Sequence, residues 1–153
     1  MIFFTAVTED NQSFKKMFQS EADQIWGISE LSSTTFNNIQ PLDYILFYCK
    51  GKIIAIGQVD KTRTDSKLSN KLFGTFTHQI KGEVSWANLI YFRNLLSVSL
   101  SFQFFQDICD YSSKFAVRKI IPMSQVGLQY VRMNFDSEEL FINQIKNGLQ
   151  HRL

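Results

Sequence analysis

The chain opens on an apolar run, Ile2-Phe3-Phe4-Thr5-Ala6-Val7, closed by Thr8, Glu9 and Asp10, which predicts a buried strand. Over residues 10–18 the spacing becomes helical, with Phe14, Met17 and Phe18 on one face. The stretch "QIWGISE" then sets Trp26 and Gly27 in a turn-like break. Residues 32–43 are rich in turn formers, and Pro41, which has no N–H, stops any helical turn there.

The clearest pair of elements follows. "YILFYC" (44–49) and "KIIAIGQV" (52–59) are β-branched and aromatic, and Lys50-Gly51 between them predicts a hairpin with a tight turn. Residues 60–84 are polar and glycine-punctuated, with isolated Phe73 and Phe76. They read as a long loop, and such loops in compact domains are often functional. Strand character resumes over 86–92 and continues with partial alternation over 95–105. A short helix over 105–111 and a strand from Lys114 to Pro122 come next. Asp136, with Glu139 three residues on, predicts the capped start of a last helix over 137–147, packed through Leu140, Phe141, Ile142 and Ile145 and stopped at Gly148.

This order predicts an α+β fold: a small curved mixed β-barrel of about five to six strands flanked by helices, in one domain over residues 1–153. With 44% hydrophobic and 20% charged residues, the chain has the composition of a folded domain. Its 15 Phe, 5 Tyr and 2 Trp favour a sheet-rich core or a surface that stacks flat ligands. The net charge of +2 argues against a protein that coats polyanions, and leaves room for a local basic patch. No apolar run reaches transmembrane length and the N-terminus lacks the features of a signal peptide, so a cytoplasmic protein with no membrane partner is expected.

Catalytic constellations are missing. His78 and His151 belong to no metal-binding pattern, and there is no GxSxG, P-loop or GxGxxG. Asp107 and Asp110 share a helix face but have no general-base context. Cys49 and Cys109 read as small reduced side chains within apolar segments. No enzyme activity, metal or cofactor is expected.

Three stretches together resemble the EVE domain family of the PUA-like superfamily. They are Trp26-Gly27-Ile28 after the first strand and helix, Pro41-Leu42-Asp43 where the family often has Pro-Gly-Asp, and Ile54-Ala55-Ile56-Gly57-Gln58-Val59 as the second hairpin strand. "SWANLIYF" is similar to the family's next strand and "FDSEELFINQI" to its closing helix. The likeness is most specific over residues 2–59, and weak over 60–85 and 102–125.

EVE domains are similar in fold to YTH domains, which read N6-methyladenosine through an aromatic cage, and related modules form the DNA-reading part of McrB-type restriction systems. The resemblance therefore implies a reader of a modified, flipped-out base, with modified DNA preferred to RNA and an AAA+ or nuclease partner in a restriction system. The alternative is an RNA-binding PUA-like protein acting on tRNA or rRNA. Trp26 matches the first cage wall, and Phe73, Phe76 or Trp86 would supply the others. Thr5, Ser29 and Asn88 are candidate readers of the base edge, beside Ile28. Gly27 would let the backbone approach the base, since it has no Cβ. Lys61, Arg63, Lys67 and Lys71 are the candidate phosphate contacts. Each has a plainer reading. A tryptophan after a helix is often core, Phe73 and Phe76 would also pin the loop to the barrel, and a run of cations is often a solvated face.

Overall fold

A computed structural model describes residues 1–20 and 24–148. The chain begins with β1 (Ile2–Ala6), as its apolar run predicts. The helix that follows is shorter than its sequence suggests: α1 (Gln12–Lys16) starts where the Asn11 side chain accepts the Phe14 N–H at 2.8 Å. Met17 is buried, whereas Phe18, expected on the same inward face, is exposed. Trp26 does not stand in a turn. Its segment is a strand, β2 (Ile25–Ile28), followed by a 3-10 turn (Glu30–Ser32) and α2 (Ser33–Phe36).

The expected hairpin is present as β3 (Tyr44–Cys49) and β4 (Lys52–Thr64). Lys50 and Gly51 both take positive φ, 47° and 79°, as a tight hairpin turn requires. Residues 60–84 are not a loop. β4 runs on to Thr64, α3 (Ser66–Phe73) follows under an Asp65 cap, and β5 (Thr75–His78) and β6 (Gly82–Ser85) make a second hairpin. β7 (Asn88–Ser101) is one long strand, and Ser101 caps α4 (Phe102–Cys109), so Phe102 to Phe105 are helical where a strand was expected.

Of the strand expected up to Pro122, only the two-residue β8 (Ile121–Pro122) forms. An unanticipated α5 (Gln125–Phe135) precedes α6 (Glu138–Lys146). Ser137, not Asp136, caps α6, because Asp136 takes a positive φ of 66° in the corner between the helices. Leu140 is exposed, leaving Phe141, Ile142 and Ile145 as the buried face.

The main sheet has six strands in the order β2-β7-β4-β3-β1-β8, with β1 and β3 parallel and the other neighbours antiparallel. Register shifts along β4 and β7 place bulges in its longest strands, which sharpens the twist and curls the sheet. Side-chain alternation then explains the unbroken apolar runs, because the inner strands are buried on both faces. Ile2, Phe4, Tyr44, Leu46 and Ile53 face one core, closed by α4, α5 and α6. Phe3, Ile45, Phe47 and Val59 face the other, with Met17, Trp26, Phe36 and Ile39. Among the described residues no helix is long and apolar enough to cross a membrane.

Candidate functional site

The second core opens into a cavity of about 570 Å³ beside β1 and β2. That size falls within the roughly 300–1,000 Å³ usual for small-molecule sites. Thr5 to Thr8 from β1 and the loop after it form one side, and Trp26 to Ser29 form another. Phe76 and Trp86 reach in from the small hairpin and its exit, and Arg118 and Lys119 stand at the far lip. Both cations are exposed, and no Asp or Glu is among the lining residues. The cavity therefore joins apolar rings to positive charge.

Trp26 is only 7% exposed. Phe14, Phe47 and Phe73 hold its ring at centroid distances of 6.1, 5.7 and 6.1 Å, each edge-on to it. Its indole N–H has no protein acceptor among the described residues, although buried indoles usually find one. Trp26 is thus a fixed part of the cavity's inner wall, where the sequence suggested an open stacking face. The more accessible rings are Phe76 and Trp86, half-buried and 4.7 Å apart with a 37° tilt.

Thr5 offers a second unspent polar group. It is 3% exposed, lines the cavity, and its hydroxyl has no protein partner among the described residues. Buried hydroxyls are almost always hydrogen-bonded to protein or water, so this one is free to bond to a water or to a ligand in the cavity. Ser29 Oγ already accepts the Leu31 N–H at 3.1 Å but keeps its own O–H. Asn11, missed from sequence, spends its carbonyl on Phe14 and keeps its NH₂.

Some other expected site residues lie elsewhere. Asn88 is buried and does not line the cavity. Its amide donates to the Ser29 carbonyl at 3.3 Å and Ser33 Oγ at 3.0 Å, and its oxygen accepts from Thr64 Oγ1 at 3.3 Å, tying β7 to β4 and the turn. Gly27 is at the cavity, and it also serves packing: a Cβ there would come within 2.9 Å of both Phe73 and Trp86. Phe73 lies behind that glycine, lining a smaller recess of about 100 Å³ with Trp26 and Trp86.

The four expected phosphate contacts are not grouped at the cavity mouth. Lys61 lies over the Tyr91 ring at 4.8 Å and Arg63 pairs with Asp65 at 3.3 Å, both on β4. Lys67 and Lys71 ride on α3, and Lys71 lines a different concavity. The cations at the cavity itself, Arg118 and Lys119, were passed over. In the structure they are an exposed pair flanked by buried Val117 and Ile120. His78 lies in β5, where its Nδ1 accepts backbone N–H groups of the turn, and His151 lies outside the described residues.

No protein-family model and no curated protein matches this chain. Among solved structures it is similar to the ASCH protein of Zymomonas mobilis, at 9% identity and a TM-score of 0.53, over 87% of this chain and 94% of that one. A single-residue mutant of that protein gives 8% identity and a TM-score of 0.53, over 86% and 94%. The YTH domain of Zygosaccharomyces rouxii MRB1, solved with N6-methyladenosine RNA, gives 12% identity and a TM-score of 0.46, over 86% of each chain. The likeness to the ASCH protein is one of fold: a curled six-stranded mixed sheet with flanking helices, of the α+β class.

Proposed function

We propose that the chain is a nucleic-acid-binding module that takes one unstacked, modified base into the cavity between β1 and β2 and carries out no chemistry on it. One observation carries this reading: a cavity of about 570 Å³ combines half-buried rings, a buried hydroxyl with no protein partner among the described residues and two exposed cations. Each part suits a base. Rings such as Phe76 and Trp86 stack on its faces, worth about 1–3 kcal/mol per base. The Thr5 hydroxyl and the Trp26 N–H meet its polar edge, and Arg118 and Lys119 meet the adjoining phosphate. In a duplex the faces of a base are stacked and its Watson–Crick edge is paired, so it has to be flipped out or come from a single strand.

The sequence resemblance to EVE domains supports the finer reading, a specificity domain for modified DNA in a restriction system with an AAA+ or nuclease partner. Few cations line the cavity, which suits a module that gains affinity from such a partner. Action on tRNA or rRNA is the alternative.

Binding of short oligonucleotides tests both. Anisotropy is measured with N6-methyladenine or 5-methylcytosine at one position against unmodified controls, as single-stranded RNA, single-stranded DNA and duplex DNA. Tighter binding of one modified oligonucleotide, lost in Trp86→Ala, is expected. Equal affinity for modified and unmodified strands in all three forms would reject the reading, and preference for RNA would select the alternative.

A further inference from the structure

The recess behind Gly27 is a junction. It shares Asn11, Trp26, Gly27 and Trp86 with the large cavity, and Ser13 and Phe73 with a third concavity of about 320 Å³. The three hollows are therefore neighbours that share walls at the β2 end of the sheet. In the third, Lys16 from α1 and Lys71 from α3 line the same concavity, with the polar side chains of Ser13 and Gln19 also in its lining.

These two lysines differ from several other cations of the chain. Lys15 lies 3.9 Å from Asp10, Lys50 pairs with Glu9, and Arg63 with Asp65. Lys16 and Lys71 are exposed and have no carboxylate partner among the described residues, which exclude Glu21 and Asp23. Among the described residues no acid lines their concavity. Two ammonium groups that line one concavity from separate elements, unpaired among the described residues and with a hydroxyl and an amide in the same lining, suit a phosphodiester, to which lysine binds as a point charge.

We infer that this concavity is a phosphate subsite, in which Lys16 and Lys71 hold the backbone of the strand whose base occupies the large cavity. The inference rests on the base-binding reading and deepens it. The ligand is a strand running from Arg118 and Lys119, past Phe76 and Trp86, to Lys16 and Lys71. A free nucleoside fills only the middle of that path.

The test compares the parent, a Lys16→Ala/Lys71→Ala double variant, the matching double arginine variant and Trp86→Ala. The probe is a labelled single-stranded oligonucleotide carrying one N6-methyladenine, titrated across a range of KCl concentrations, and melting temperatures confirm folding. Each released phosphate contact lowers the slope of log affinity against log salt by about 0.7 on a single strand. The double alanine variant is expected to bind more weakly and to lose about twice that slope, while the arginine variant retains it.

An unchanged slope and affinity in the double alanine variant, with binding still lost in Trp86→Ala, would overturn the subsite and leave the base reading standing. A reduced slope with no dependence on methylation or Trp86 would keep the subsite and overturn the base reading. A parent that binds neither this oligonucleotide nor its unmodified control overturns both.

Discussion

The Glu30 carboxylate accepts two hydrogen bonds from one residue, Ser85: from its backbone N–H at 2.8 Å and from its hydroxyl at 3.2 Å. This clasp joins the 3-10 turn after β2 to the end of β6, and the next residue is Trp86. The β5–β6 hairpin forms a sheet of its own, so contacts of this kind set where its aromatic rings stand. Glu30→Ala is expected to cost about 1 kcal/mol of stability or less, because the clasp is solvent-exposed. Hydrogen exchange of the β5–β6 amides should accelerate, and oligonucleotide affinity should fall with it. Unchanged exchange in the hairpin would show that the clasp does not position Trp86.

The two tryptophans are expected to separate under mutation. Trp26 is enclosed by three phenyl rings, so Trp26→Ala should cost about 3–5 kcal/mol, as large core truncations do. Trp26→Phe removes the N–H while keeping much of the ring, and should weaken binding more than it weakens the fold. Trp86 is half-buried, so Trp86→Ala should give the smaller stability loss and the larger affinity loss. Chemical denaturation together with anisotropy on the same samples measures both quantities.

Gly27 illustrates how the site constrains the chain. A methyl group there would sit 2.9 Å from a Phe73 ring carbon and from Trp86 Cβ, closer than carbon atoms tolerate. Gly27→Ala should therefore destabilise by about 1–3 kcal/mol, the usual range for overpacking. It should also push Phe73 and Trp86 apart and disturb the indole signal of Trp86 in NMR spectra. A variant as stable as the parent would mean that the rings move aside freely.

Cys109 lies against Ser124 and Tyr111 under α5, and burial pushes its thiol up to about 11, against only partial opposition from hydrogen bonds. The folded state holds this proton more tightly than the unfolded chain does. The contribution is therefore complete below the unfolded value of 9.0 and is lost as pH rises from there towards about 11. Denaturation midpoints of the parent should fall across that window, and those of Cys109→Ala should fall less. In mass spectrometry with a thiol alkylator near neutral pH, half-buried Cys49 should be labelled first.

How much of this was legible depended on how local the deciding contacts are. The β3–β4 hairpin is specified by its own turn, Lys50-Gly51, and could be read directly. Trp26-Gly27 was visible as an element, but its strand state comes from pairing with Leu89 and Ile90, far along the chain. α3 is polar enough to pass for a loop, and its clearest marker is the Asp65 cap accepting the Leu68 N–H at 2.9 Å. α5 was hidden by Gly127, which looks like a breaker but allows close approach to Cys109, whose sulfur would lie 2.5 Å from an added Cβ. Leu42 holds a positive φ of 74°, a left-handed conformation that costs a residue with a side chain some backbone strain. Of the residues that line the cavity, Thr5, Phe76 and Trp86 were candidates that the family resemblance implied. Arg118 and Lys119 were not, because their place at the cavity depends on how the chain returns to pair β8 with β1.

The most direct measurement follows the two indole N–H signals by NMR while a methylated oligonucleotide is added. A base lodged beside β2 should move the Trp86 signal, and that of Trp26, along a saturable curve, while amides of α6 on the opposite core stay in place. Saturable binding that leaves both indoles untouched would put the ligand elsewhere on the molecule, and the cavity would lose its assigned role.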